Sequence, residues 1–262
     1  MFLLLALLPV AFAREAFIVG GTTTDPADWN WQGSLQFASS GSHTCGCVVG
    51  STNYIITAAH CVGSAASSYQ VELGVINRGS STPGAPEMYS LAAITRNPDY
   101  SGSCGSSGCY PNDIAVMQTS SSINLGNAFI ETIGLDDGAE TVGQECYITG
   151  WGRTCGSCAL PAALQEAEID VISHADCDSY WGSSYNGAVH VCVFDNANQE
   201  KGACNGDSGG PLVCRASAAD AYTLVGITSW GRTGCLTTFP SAYVRVSTYT
   251  DWLCSNSNGE LC

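Results

Sequence analysis

The sequence predicts an all-β protein with one helix at its C-terminal end. Short apolar and β-branched runs recur along the chain between clusters of turn-forming residues, a pattern typical of antiparallel strands. The 30 glycines among 262 residues, together with many Ser, Thr and Asn turns, disfavour a helix-rich fold. Helical spacing of apolar residues occurs only near the C-terminus.

Seven runs carry the strand pattern, and one segment carries the helix pattern. The helix is predicted in STYTDWLCS, where Tyr249, Trp252 and Leu253 can share one face beyond the candidate N-cap Ser247. The chain shows no internal repeat and no long linker, and its length suffices for one large domain or two smaller ones. The predicted strands are, in chain order, YIITAAHC from residue 54, SYQVELGVI from 68, DIAVMQT from 113, ECYITGWG from 145, LQEAEIDVI from 164, LVGITSW from 224 and SAYVRVS from 241.

The N-terminal segment predicts export from the cell. Residues 1–13, MFLLLALLPVAFA, form a short apolar run that ends in the small-x-small pattern of signal-peptidase sites, although no basic residue precedes it. A membrane anchor is disfavoured, because spanning a bilayer needs about 20 apolar residues. The 15 cysteines are also more than a reducing compartment normally tolerates. We therefore predict a signal peptide at 1–13 and a secreted, extracellular protein with disulfides.

The chain is strongly acidic, which restricts its partners. It has 23 Asp and Glu residues against 8 Lys and Arg residues, a formal net charge of -15. This sign opposes binding to nucleic acids and to anionic membrane surfaces. We therefore expect neither nucleic acid nor a membrane as a partner.

One serine stands in a motif that suits a nucleophile. Ser208 lies in KGACNGDSGGPLVC, between an aspartate and two glycines. Serine and glycine are also common turn residues, so the motif alone fits a tight turn as well. A serine hydroxyl is a good nucleophile only when a base removes its proton and a further group orients that base. The catalytic interpretation therefore requires a histidine and an acid elsewhere in the chain.

Four histidines and one acid are candidates for these roles. His60 ends the apolar run YIITAAHC beside a cysteine, although a lone histidine there would more commonly be a core residue. Asp113 opens NDIAVMQ, where an acid taken alone is often a turn cap. The other candidate bases are His43, His174 and His190.

Three motifs together resemble one enzyme family. TAAHC, NDIAV and GDSGGP occur in the order typical of the chymotrypsin-like serine endopeptidases, and the chain resembles that family, including the digestive and fibrinolytic proteases of invertebrates. The resemblance covers nearly all of residues 18–254 and includes IVGG from 18, CG from 45, TGWG from 149, SWG from 229 and YVRV from 243. It implies a serine protease domain at 18–262, with two packed six-stranded antiparallel β-barrels at about 18–125 and 126–246 and a C-terminal helix and tail at 247–262.

The same resemblance implies the catalytic roles. His60 would take the proton of Ser208 as Ser208 attacks the peptide carbonyl, and Asp113 would orient His60. The backbone N–H groups of Gly206 and Ser208 would form the oxyanion hole. No cofactor and no metal are implied, since Val75 stands where calcium-binding members carry an acidic residue.

The resemblance also implies synthesis as an inactive precursor. Cleavage of the Phe17-Ile18 bond would remove the activation peptide at 14–17 and free the α-amino group of Ile18. This group would pair with the carboxylate of Asp207, since a buried ammonium without a counter-charge is costly. A phenylalanine before the bond disfavours activation by trypsin.

The specificity pocket implied by the resemblance is uncharged. Its base falls on Gly202, where trypsin-like enzymes carry an aspartate, so cleavage after Lys or Arg is disfavoured. Gly231 leaves the entrance open to bulky side chains, whereas Ser241 stands where glycine is common and should make the pocket shallower. We expect cleavage after large apolar or aromatic residues, with an elastase-like preference for smaller residues as the alternative. The implied pocket residues are Gly202, Ala203, Ser229, Trp230, Gly231 and Ser241.

Most cysteines are assigned to pairs. The resemblance implies Cys45–Cys61, Cys146–Cys214, Cys177–Cys192 and Cys204–Cys235. Proximity suggests Cys104–Cys109, Cys155–Cys158 and Cys254–Cys262, although sequence alone does not establish connectivity. CGSC at 155–158 could instead be redox-active. Cys47 is left over and is expected to be a buried free thiol.

Two classes of protein other than an enzyme are compatible with parts of the sequence. The chain could be a catalytically inactive family member that acts as a binding module, or a disulfide-stapled structural protein. Both leave the intact set of His60, Asp113 and Ser208 unexplained. The resemblance implies a monomeric enzyme whose partners are protein or peptide substrates and protein protease inhibitors. Its physiological substrate could be digestive protein, a fibrin-like clot or a specific precursor.

Overall fold

The computed structural model describes residues 18–24, 28–80, 84–102, 109–138 and 141–262. The predicted signal peptide at 1–13 and the predicted activation peptide at 14–17 lie outside the described residues. In the part of the chain that is described, no helix is long and apolar enough to cross a membrane.

The described residues form 15 strands and two α-helices, with short 3-10 turns between them. The strands are β1 (Thr22–Thr23), β2 (Gln32–Phe37), β3 (His43–Val49), β4 (Tyr54–Thr57), β5 (Tyr69–Val75), β6 (Gly84–Arg96), β7 (Ala115–Thr119), β8 (Gly134–Leu135), β9 (Glu145–Gly150), β10 (Gln165–Glu168), β11 (Asp170–Ile172), β12 (His190–Phe194), β13 (Pro211–Arg215), β14 (Thr223–Trp230) and β15 (Ser241–Arg245). The helices are α1 (His174–Trp181) and α2 (Thr250–Ser255).

Strands β2 to β7 close into a six-stranded antiparallel barrel in the order β2-β3-β4-β7-β6-β5. The ring closes because β2 pairs on both sides, so that Leu35 lies opposite Cys45 in β3 and opposite Val71 in β5. Side chains alternate between the two faces of each strand, and the inward set fills the barrel. Leu35, Val71 and Met117 are among the fully buried members of this core.

The other strands form a nine-stranded sheet whose main path runs β1-β10-β9-β13-β14-β15-β12-β11. Only Ile169 separates β10 from β11 in the chain, so the sheet curls until β11 returns to β10. With β10 and β11 taken as one bent strand, the curled sheet contains the six strands predicted for the second barrel. Strand β1 adds to the edge of β10, and β8 pairs with β14 in parallel, so the antiparallel prediction is wrong for that pair.

The predicted strands and the C-terminal helix are confirmed. The seven runs appear as β4, β5, β7, β9, β10 with β11, β14 and β15, and the helix appears as α2 with Leu253 buried. The predicted cap is wrong, because Ser247 lies in the preceding 3-10 turn and its hydroxyl bonds to the Asp136 carboxyl. Tyr249 takes the N-cap position, but its side chain makes no capping hydrogen bond.

Helix α1 contradicts the prediction that helical structure occurs only at the C-terminal end. It buries only Cys177 and Trp181, so its sequence HADCDSYW carries no clear apolar stripe. The Ser173 side chain caps the helix by accepting a hydrogen bond from the Asp176 N–H. This Ser-x-x-Asp spacing resembles a capping box and is the signal that could have identified the helix.

The disulfides match the pairs expected from the sequence wherever both cysteines are described. Cys109 is also disulfide-bonded, and its expected partner Cys104 lies outside the described residues. Cys47 is a buried free thiol, and burial raises its pKa, which makes it unreactive. The six disulfides with both members described are Cys45–Cys61, Cys146–Cys214, Cys155–Cys158, Cys177–Cys192, Cys204–Cys235 and Cys254–Cys262.

The barrel and the curled sheet meet at the turn that carries Ser208. The Gly46 N–H in β3 donates to the Ser208 carbonyl at 2.7 Å. A side chain at Gly46 would lie 2.7 Å from the Gly210 Cα, so this close approach requires glycine. The Thr149 hydroxyl of β9 donates to the Gln32 side-chain oxygen of β2 at 2.7 Å. These contacts join the two units next to the candidate nucleophile.

Candidate active site

His60 and Asp113 form a closely bonded pair on the barrel side of the cleft. His60 lies in a 3-10 turn directly after β4, and Asp113 comes just before β7, the strand that pairs with β4. Nδ1 of His60 lies 2.6 Å from Oδ2 of Asp113, and the His60 backbone N–H donates to Oδ1 at 2.8 Å. Asp113 therefore fixes both the backbone and the imidazole of His60.

Asp113 is fully buried and accepts a third hydrogen bond, from the Ser229 hydroxyl at 2.6 Å. Because the carboxylate oxygen accepts the hydrogen bond from the His60 ring, Nδ1 of His60 carries a proton, and in the neutral ring Nε2 then holds the lone pair. This is the tautomer that a general base needs. The Cys45–Cys61 disulfide anchors the turn that holds the ring.

Ser208 lies in the turn at 205–209, directly before β13. Ser208 and His60 both line a cavity of about 410 Å³ between the barrel and the curled sheet. No hydrogen bond joins Ser208 Oγ to His60 Nε2 in the described part of the chain. Such contacts are often long in enzymes without substrate and shorten in the complex. The structure thus brings His60 and Ser208 to one cleft, with Asp113 buried behind His60.

The predicted oxyanion hole has two unpaired donors. Among the described residues, neither the Gly206 N–H nor the Ser208 N–H donates to a protein acceptor. Gly206 has φ +103°, a conformation that favours glycine. A Cβ at this position would lie 2.8 Å from Leu160 Cδ2 and 2.9 Å from Gly152 Cα. Glycine at 206 therefore keeps the backbone conformation and the space that the turn requires.

His43 supports the same turn, a role that the sequence did not reveal. Its Nε2 lies 2.9 Å from the Gly206 carbonyl, and its Nδ1 lies 2.8 Å from the Ser34 hydroxyl. Because a carbonyl only accepts, Nε2 carries the proton and Nδ1 accepts from Ser34. Burial lowers the pKa of His43 to about 4, so the ring is neutral near pH 7. His43 is thus a positioning residue for the Gly206 turn and not the base.

Asp207 is a buried carboxyl in a cradle of glycines. Its oxygens accept from the Gly152 N–H at 2.7 Å and from the Cys204 N–H at 2.9 Å. A Cβ at Gly150 would lie 2.2 Å from the Asp207 carboxyl, so the cradle requires glycine. Burial raises the pKa of Asp207 to about 7 despite these two bonds. Ile18, its predicted partner, is also fully buried.

We expect the uncleaved chain to become less stable as the pH rises through the pKa of Asp207. The pKa is 3.8 for an ordinary aspartate and about 7 here, so the folded chain holds the proton more tightly than the unfolded chain does. The contribution of Asp207 to the free energy of unfolding is therefore largest below about pH 4. It is smaller by about 4 kcal/mol at about pH 8. Urea unfolding of the Ser208→Ala precursor across this range measures the decrease.

The matched control is the Ser208→Ala/Asp207→Asn precursor, in which position 207 cannot titrate. The pH dependence of its unfolding should lack this decrease, whereas the other carboxyl groups contribute equally to both proteins. The same pH profile in the two precursors would show that Asp207 is not the titrating group.

The predicted pocket residues divide into two groups. Gly202 and Ser241 do not line the cavity but lie against each other, because a Cβ at Gly202 would be 3.4 Å from the Ser241 Oγ. The Ser241 hydroxyl accepts from the Ala203 N–H at 3.2 Å and occupies part of the space that a side chain at 202 would need. The predicted pocket residues that do line the cavity are Ala203, Ser229, Trp230 and Gly231.

Tyr110 is a cleft residue that sequence reasoning missed. Its ring stacks on the His60 imidazole with centroids 5.3 Å apart, and it lines the same cavity. Tyr110 follows the disulfide-bonded Cys109, but no motif marks it, so only the tertiary contact identifies it. The remaining candidate bases, His174 and His190, do not line the cavity.

Comparisons with known proteins identify the family of the chain. The family model described as Trypsin matches residues 18–253. The chain is 36% identical over 242 residues to the chymotrypsin-like serine proteinase of Haliotis rufescens, covering 90% of each chain. It is 38% identical over 251 residues to fibrinolytic enzyme, isozyme C, of Lumbricus rubellus, covering 92% of this chain and 100% of that one. It is also 36% identical over 256 residues to chymotrypsin-like elastase family member 3B of Homo sapiens, covering 94% of this chain and 90% of that one.

The family match spans both the barrel and the curled sheet and includes all three motifs from which the resemblance was drawn. The predicted resemblance is therefore confirmed, and the chain belongs to the trypsin family as a serine endopeptidase.

Proposed function

We propose that the protein is a secreted endopeptidase, made as a precursor, that cleaves after large apolar or aromatic residues. The observation that carries the proposal is the absence of a carboxylate next to the candidate nucleophile: the described residues that line the cavity include no Asp or Glu. A substrate Lys or Arg would find no carboxylate there, whereas an apolar side chain leaves water without losing a charge's hydration.

The proposed reaction proceeds through an acyl-enzyme. His60 Nε2 takes the proton of Ser208 as its Oγ attacks the peptide carbonyl, and the protonated ring then gives this proton to the leaving amine. Asp113 orients the ring and stabilises its charged form. The N–H groups of Gly206 and Ser208 bind the oxyanion, and losing one such donor costs about 3 kcal/mol of transition-state stabilisation. Water then hydrolyses the acyl-enzyme by the same proton transfers.

Two further proposals concern maturation and surroundings. The α-ammonium of Ile18, freed by cleavage after Phe17, pairs with the Asp207 carboxylate and stabilises its charged form. The disulfide-rich domain is exported through residues 1–13 and acts as an extracellular monomer on protein substrates, with protein protease inhibitors as further partners. The many disulfides support this setting.

An elastase-like preference for smaller residues is the second candidate. The observation that favours it is Ser241, whose hydroxyl lies 3.4 Å from the position of a Cβ at Gly202, the residue that the family resemblance places at the base of the pocket. The names of the relatives support each candidate, since one is called chymotrypsin-like and another an elastase. Cleavage of a peptide library by wild type and Ser241→Gly separates the two. A main preference for Ala or Val in wild type, shifted to Phe by Ser241→Gly, would favour the elastase-like candidate.

A carboxylate introduced at the pocket base should impair apolar cleavage. We expect Gly202→Asp to lower kcat/KM after Phe, Tyr and Leu by at least about tenfold, because the charge would be buried without a partner. Gly202→Asn is the matched control, since it adds the same bulk without the charge and should lose less. Initial rates on peptides that differ only in the residue before the scissile bond measure both variants. A wild-type enzyme that prefers Lys or Arg would refute the proposed specificity.

A fluorophosphonate probe tests the nucleophile directly. Such a reagent labels a serine that a neighbouring base activates. Stoichiometric labelling of the mature protein at Ser208, absent in His60→Ala, is expected. Labelling at another serine would refute the proposed catalytic site.

A further inference from the structure

Arg232 places a fixed positive charge at the rim of the cleft. It is solvent-exposed and lines the same cavity as His60 and Ser208. Its guanidinium lies over the Phe239 ring, 4.6 Å from the centroid. Its carbonyl accepts from the Cys235 N–H at 3.0 Å, which closes a turn. The turn fixes the backbone of Arg232, and the ring contact restricts its side chain before a substrate arrives, so less entropy is lost on binding.

This charge has no acidic partner in the described part of the protein. Neither of the two ion pairs found there, His60–Asp113 and Arg215–Glu145, includes Arg232. Arg232 is also the only Lys or Arg among the described residues that line the cavity. In a chain of net charge -15, the rim of the cleft is therefore a local site of opposite sign. A substrate carboxylate could bind there, whereas most of the surface would repel it.

The edge of β14 indicates which substrate residue reaches Arg232. Strand β14 pairs with β13 only as far as Ile227 and with β15 as far as Trp230, so beyond Thr228 one edge has no strand partner among the described residues. This edge lines the cavity, and an extended peptide can add to it as an antiparallel strand. In this antiparallel alignment, substrate residues further before the scissile bond lie beside residues further along β14 towards its C-terminal end.

The alignment starts from Ser229, which bonds to Asp113 beside the candidate base. Ser208 and Ser229 line the same cavity, so we place the substrate residue whose carbonyl reaches Ser208 beside Ser229. Strands rise about 3.4 Å per residue and alternate their faces, so the residue two positions earlier lies about 7 Å further along, near Gly231. Gly231 is the neighbour of Arg232.

We propose that Arg232 is a specificity-determining residue that selects an acidic side chain at the third position before the scissile bond. The proposal rests on the proposed function, since it assumes cleavage at Ser208 with an apolar residue directly before the bond. Its substrates combine an acidic third residue with an apolar first residue. The guanidinium binds the carboxylate as an exposed ion pair across the rim.

The chain's own activation site has this pattern. The residues before the Phe17-Ile18 bond are Arg14, Glu15, Ala16 and Phe17, so Glu15 is the third residue before the bond. A second copy of this chain is therefore a substrate of the proposed class.

The test compares two peptides that differ only at that position. Mature wild-type enzyme is given peptides with the sequences REAFIVGG and RQAFIVGG. We expect a kcat/KM about two- to fivefold higher for the glutamate peptide at low salt. The preference should disappear in about 1 M salt and in Arg232→Gln. Arg215→Gln is the matched control, because its guanidinium also lies over a ring, that of Tyr222 at 4.5 Å, but does not line the cavity.

Charge reversal completes the test. Arg232→Glu should prefer RKAFIVGG over REAFIVGG. Equal cleavage of the glutamate and glutamine peptides by wild type, or a glutamate preference that persists in Arg232→Gln, would overturn the role of Arg232 while leaving cleavage after Phe intact. If no peptide is cut after Phe, the proposed function itself fails, and the two failures are thus distinguishable.

Discussion

Replacing Ser208 by alanine is expected to lower kcat/KM for peptide hydrolysis by about 10⁴- to 10⁶-fold without unfolding the protein. The oxygen that forms the acyl-enzyme is lost, whereas the backbone of the turn is kept. The backbone carbonyl at position 208 still accepts from the Gly46 N–H. In the described part of the chain, the Ser208 hydroxyl makes no hydrogen bond that the substitution would remove. Active-site titration and initial rates on a Phe-containing peptide measure the loss, and thermal unfolding checks the fold.

His60→Ala should cause a loss of similar size, because His60 and Ser208 act in one proton transfer. The double variant should then be little worse than either single variant. His174→Ala is the control, since His174 does not line the cavity and its removal should leave the rate near that of wild type. Additive losses in the double variant, or near-normal turnover in either single variant, would show that the proposed pair does not work as a unit.

Much of the fold was predictable because several strands are strongly apolar. The runs that form β4 and β14 are rich in Ile, Val and Leu, and their burial matches this pattern. Strands β2 and β3, QGSLQF and HTCGCVV, were not identified. They bury Gln32, Ser34 and His43, and contacts with β9 and the Gly206 turn help to satisfy these polar groups. Such partners come from distant parts of the chain, so local patterns carry no signal for them.

The candidate site likewise contains residues that local sequence predicts and residues that only tertiary contacts reveal. Short motifs with a chemical reason predicted His60, Asp113 and Ser208 as catalytic; in the structure His60 and Ser208 line one cleft, and Asp113 bonds to His60. The roles of His43 and Tyr110 depend on packing against residues far away in sequence, as in the His43–Gly206 contact across 163 residues. No spacing rule encodes such a contact. The sequence left open whether CGSC at 155–158 is a redox motif or a structural disulfide. The structure contains the Cys155–Cys158 disulfide.

The second large effect concerns maturation of the precursor. If the pocket accepts aromatic residues, the Phe17-Ile18 bond is itself a substrate, and the precursor should mature by the activity that it produces. In the uncleaved chain Ile18 has φ +44°, a costly conformation for a β-branched residue. Cleavage removes the preceding peptide group and with it this constraint. Cleavage also frees an α-ammonium group on Ile18, a residue that is already fully buried in the core.

We therefore expect Phe17→Asp to abolish self-maturation. A charged side chain cannot leave water cheaply to enter an apolar pocket, so the bond should not be cut. Phe17→Tyr is the matched control and should mature as wild type does, and Phe17→Arg should mature only when trypsin is added. The measurement is the appearance of the Ile18 N-terminus over time in purified precursor that is seeded with a trace of mature enzyme.

Ser208→Ala precursors separate self-cleavage from other causes. With the same seed, a Ser208→Ala precursor should still gain the Ile18 terminus, because the seed cuts it in trans, but without the acceleration that newly formed enzyme gives to wild type. Without seed it should stay intact, and maturation in that sample would reveal a contaminating protease. A seeded wild-type precursor that never gains the Ile18 terminus would refute self-maturation. A separate activator, or a shorter pocket limited by Ser241, would then account for the precursor, because either leaves Phe17 outside the specificity of the enzyme.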